Sequence, residues 1–108
     1  MRRTIVVALA LAIAIVGVEV MPSAASSSRS VTIGDDFFKP TKLTVSKGTR
    51  VTWHWRGSDT HNVTVSSGPT KFHSRDRSSG SFARTLRRAG TYRILCTIHG
   101  FRMKIVVR

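Results

Sequence analysis

Apolar and polar residues alternate in short runs along most of the chain beyond residue 30. Val31-Thr32-Ile33 alternates and stops at Gly34-Asp35-Asp36. Leu43-Thr44-Val45 stops at Lys47-Gly48, and Val51-Thr52-Trp53-His54-Trp55 ends at Gly57-Ser58-Asp59. Val63-Thr64-Val65 gives way to Ser66-Ser67-Gly68-Pro69. Phe82 to Leu86, Tyr92 to Cys96 and Met103 to Val107 repeat the habit. A period of two sends successive side chains to opposite faces of an extended chain. The pattern therefore predicts about seven to eight short strands and no helix of any length. Such spacing, with turn residues between the runs, argues an all-β, antiparallel sandwich or barrel. Gly and Ser gather between Ser66 and Ser81, so that stretch is expected to be loop, with room for a short helical turn.

The first 25 residues read differently. Arg2 and Arg3 precede an almost unbroken apolar run from Thr4 to Val18, and Ser23-Ala24-Ala25 offers small residues for cleavage. This is the layout of a signal peptide, or of an anchor if it stays uncut. Export, to a periplasm, cell surface or medium, is the expectation. It sets an oxidising environment. Residues 26–30 read as a flexible lead-in and 31–108 as one domain.

Charge changes the picture next. The chain has 18 Lys and Arg against 5 Asp and Glu, a formal net charge of +13. Past residue 25 the only acids are Asp35, Asp36, Asp59 and Asp76. A field of that sign attracts acidic proteins, anionic cell-surface polymers or lipid, and nucleic acid without sequence preference. No nucleic-acid-binding motif is present, and export argues against nucleic acid as the partner. The charge alone suits an acidic partner protein met by a monomer, or an anionic cell surface.

Four residues carry candidate chemistry. Cys96, His99 and Met103 form a Cys-x2-His-x3-Met run, and His61 stands upstream in His61-Asn62-Val63. With a single Cys in the chain no internal disulfide accounts for it. A thiolate and two imidazoles with a distant thioether suit a copper ion that carries electrons. There is no Ser-His-Asp arrangement, carboxylate pair or phosphate loop, so an enzyme is not expected.

These pieces, in this order, resemble the cupredoxins, the blue-copper family. Phe38-Lys39-Pro40, Leu43-Thr44-Val45 and Lys47 to Trp53 are similar to the family's N-terminal half. Asp59-Thr60-His61-Asn62-Val63 resembles its first-histidine motif, and Cys96-Thr97-Ile98-His99 its copper loop. The resemblance spans about Val31 to Arg108. It implies a Greek-key β-sandwich, one mononuclear copper, and His61, Cys96 and His99 as equatorial ligands. It makes Asn62 the tie between the two ligand loops, and it implies one-electron transfer. Copper storage, delivery or resistance without electron transfer is the alternative for the same ligands.

One position departs from the family. Three residues separate His99 from Met103, and no Gly follows it. Met103 is then either the axial ligand or an inward residue of the last strand, in register with Ile105 and Val107. His54, between two Trp, is expected on the surface, and His73 in solvent. Phe101 either joins an apolar docking patch beside His99 or packs beneath the loop.

Overall fold

Strand β4 (Thr49–Trp55) shows how the sandwich is made. Val51, Trp53 and Trp55 point inward and are buried, while Arg50 points out. In this computed structural model, which describes residues 27–108, β4 is central to one of two four-stranded sheets. That sheet is ordered β2 (Phe37–Lys39), β1 (Ser28–Gly34), β4, β6 (Ser81–Leu86). The second is ordered β3 (Lys42–Val45), β8 (Arg102–Val107), β7 (Gly90–Leu95), β5 (Thr64–Ser67). The inward residues of both sheets meet in one core, with Trp53, Tyr92, Ile33, Ile94 and Ile105 nearly or fully removed from water.

The all-β sandwich is the fold that the alternation predicts, and three local features differ from the expected plan. Two ladders are parallel, β1 with β4 and β3 with β8. Side-chain alternation carries no information on strand direction, because both ladder types share the period of two. Ser28 to Ser30, expected to be a flexible lead-in, are strand residues paired with Arg50 to Thr52. Backbone hydrogen bonds hold them without any apolar side chain. The three-residue β2 is too short to show a period at all. The 1–25 segment lies outside the described residues.

The long connection after β5 contains no helical turn. It lies back along the chain around His61 through isolated bridges, His61 with Arg77 and Thr64 with His73. Val65 N–H donates to Phe72 O and Ser74 N–H to Val63 O. The buried His61 to Val63 stretch thereby gains backbone partners from a largely exposed loop.

Candidate metal centre

His61 follows the turn after β4 and is held from both sides. Its N–H donates to Arg77 O at 3.0 Å and its carbonyl accepts from Arg77 N–H at 3.1 Å. That carbonyl also accepts from the Trp55 indole at 3.1 Å. Cys96 and His99 flank the turn between β7 and β8. Cys96 N–H donates to Phe101 O, and Gly100 N–H donates to Cys96 O at 2.8 Å. Gly100 sits at φ 82°, a left-handed conformation that a side chain resists, and this lets so short a turn close.

Three predicted ligands converge. The candidate ligand atoms of His61, Cys96 and His99 all lie within 4.8 Å of one another. His61 Nδ1 is 3.1 Å from His99 Nδ1 and 3.9 Å from Cys96 Sγ. For one tetrahedral ion with metal–nitrogen bonds of about 2.0 Å and metal–sulfur of about 2.3 Å, the spacings would be about 3.3 and 3.5 Å. The residues therefore fit a shared metal ion. His61 and Cys96 are fully buried, while the His99 side chain is 33% exposed. His99 is thus the candidate ligand that reaches the surface.

Met103 lies on the inward face of β8. It opposes Ile94 across the β7–β8 ladder and is buried in the row with Ile105 and Val107. Its sulfur accepts the Trp53 indole N–H at 3.4 Å. Phe101 turns inward, its ring 4.8 Å from that of Phe38 and 5.2 Å from that of His61. The exposed apolar side chain beside His99 is instead Ile98. His54 is on the outward side of β4, and His73 is exposed. Neither joins the cluster.

The Asn62 amide links the two ligand-bearing segments. Its Oδ1 accepts from Thr97 N–H at 3.1 Å, and its Nδ2 donates to Thr97 Oγ1 and to Asp76.

Residues 5–107 match the Cupredoxin-like domain family. The chain belongs to that family. Among solved structures, this cupredoxin is similar to an oxidised proline-to-glycine variant of amicyanin. Identity is 30%, coverage 79% of this chain and 86% of that one, and the TM-score 0.67. It is similar too to a reduced Cu(I) proline-to-glycine variant of amicyanin at pH 4. There the identity is 29% with the same coverage and a TM-score of 0.68. A methionine-to-alanine amicyanin variant in the Cu(I) form gives the same figures as that reduced structure. Comparison with curated proteins gives no match.

Sequence reasoning missed one member of the site. Asp35, read only as a turn residue, accepts from His61 Nε2 at 3.0 Å. Its carboxyl is held at about 2, below the ordinary 3.8, chiefly by the Asp59 N–H, then by the Ser58 N–H and by His61. Asp36 stands 3.8 Å from His99 Nδ1. With Asp76 on Asn62 and Asp59 two residues before His61, all four aspartates of the described residues gather at the metal end.

Proposed function

We propose that this cupredoxin is an exported one-electron carrier, with copper held by the His61, Cys96 and His99 side chains. The convergence of one thiolate and two imidazoles within 4.8 Å is the observation that carries the reading. Bound there, copper would supply a metal centre that cycles between Cu(I) and Cu(II). The protein's part is to keep the ligands in place through both states. Trp55 and Arg77 fix the His61 backbone, Asn62 fixes the Cys96 loop, and burial keeps water from the thiolate. A site so enclosed offers no room for a substrate, which supports a carrier and not an enzyme.

Met103 enters this proposal as a weak axial contact at most. A thioether has two lone pairs, and one already accepts from Trp53. The other lone pair would leave Met103 able to hold copper weakly beside the three stronger donors.

The proposed partner is an acidic redox protein. Support comes from the outer face of the second sheet, where Lys42, Lys104 and Arg93 stand in one cross-strand row. Arg102 lies beside them around a shallow groove of about 250 Å³. Like charges directly opposite one another cost stability. No carboxylate among the described residues pairs with them. An acidic surface docked there would relieve that repulsion. It would also lie close to the thiolate, since Arg102 opposes Leu95, the neighbour of Cys96.

Adding Cu(II) to the protein and to Cys96→Ser tests the reading. An intense visible thiolate-to-copper band in the first and not the second is expected. Its absence from correctly folded, reduced, metal-free protein would overturn the blue-copper proposal. A bound copper that no reductant can cycle would point to storage or delivery.

A further inference from the structure

We propose that Asp35 is a positioning residue that fixes the tautomer of His61 and, through it, lowers the reduction potential of the metal held there. The inference about potential rests on the copper reading above.

The geometry begins with the carboxylate. An ionised Asp can only accept hydrogen bonds. Its Oδ1 lies 3.0 Å from His61 Nε2, so that nitrogen carries the proton. The lone pair is then on Nδ1, the atom turned toward Cys96 and His99. The carboxylate is itself built in. Ser58 N–H reaches both of its oxygens at 3.1 Å, and Asp59 N–H reaches Oδ1 at 3.0 Å. Gly57 clears the space for it, because a Cβ there would stand 2.2 Å from Asp35 Oδ1. His61 is fully buried, so no water competes for its proton.

A carboxylate bonded to the far nitrogen of a ligating imidazole orients the ring and makes it a stronger base. A full negative charge at that place also favours the more positive state of the ion. Cu(II) is therefore stabilised over Cu(I), and the potential falls.

Two measurements test this. In metal-free protein, nitrogen NMR of the imidazoles is expected to show His61 as the Nε2–H tautomer, and Asp35→Ala to lose that preference. A His61 protonated on Nδ1 alone in the unsubstituted protein would overturn the positioning role, whatever the metal. In copper-loaded protein, Asp35→Asn is expected to weaken Cu(II) about tenfold relative to Cu(I), raising the potential by about 59 mV. Asp59→Asn, which removes the same charge nearby without touching His61, serves as the control. An equal shift in both variants, or none in Asp35→Asn, would overturn the tuning role. A protein that shows the Nε2–H tautomer but forms no blue site would leave positioning intact and sink the copper reading instead.

Discussion

Asn62 and Thr97 bridge the two halves of the metal centre with a two-point hydrogen bond, Thr97 N–H to Oδ1 and Nδ2 to Thr97 Oγ1. The residues lie 35 apart in sequence and each adjoins a candidate ligand, His61 or Cys96. The pair ties the His61 segment to the Cys96 loop from outside the candidate ligands themselves.

Asn62→Ala should loosen that tie. Asn62 is buried, and its loss removes its hydrogen bonds to Thr97, Asp76 and Thr64, each worth about 0.5–1.5 kcal/mol net. Denaturant unfolding of the metal-free variant should show the loss. The copper-loaded variant should bleach faster in chelator, and unchanged stability would dismiss Asn62 as a clamp.

Trp55→Phe removes one donor to the His61 carbonyl while Arg77 continues to supply another. The expected loss is about 1 kcal/mol in thermal or urea unfolding, the net worth of one ordinary hydrogen bond. A loss several times larger would mean that the indole packs as a keystone and its hydrogen bond is secondary.

Met103→Leu conserves volume, so stability should fall by less than about 1.5 kcal/mol. The Trp53 indole loses its sulfur acceptor, which indole fluorescence can report. With only a long axial contact removed, the visible band should persist with little displacement. A large change in band position or potential would show that Met103 is a strong ligand.

Lys104→Glu places a carboxylate between Lys42 and Arg93 and should convert repulsion into two attractions. Stability should rise by some tenths of a kcal/mol, while electron transfer with an acidic partner slows. For the unaltered protein, stopped-flow rates should fall as salt rises. Rates indifferent to both salt and substitution would remove this face from consideration.

Much of this molecule can be read in its residues, because alternation and ligand chemistry are local signals. Trp53 and Trp55 declare the inward face of β4, and Cys96 with His99 declares a metal loop. Other features depend on tertiary neighbours. Asp35 sits 26 residues before the ring it holds, and Gly-Asp-Asp reads as any turn until the β4 turn closes over it. Met103 shows the opposite difficulty, since its spacing from His99 suits two roles. In the structure it stands in the inward row of β8, with Trp53 as a polar contact for its sulfur. Strand direction stayed hidden because side-chain alternation is the same for parallel and antiparallel neighbours.

The gathering of aspartates around the candidate ligands sets a small negative region on a molecule whose formal net charge is +13, so its charge is unevenly spread. Within a screening distance of about 8 Å, a partner's field would turn it before any side chains touched. Orientation would then be settled during approach, and the search for a productive pose would shrink from the whole surface to one flank.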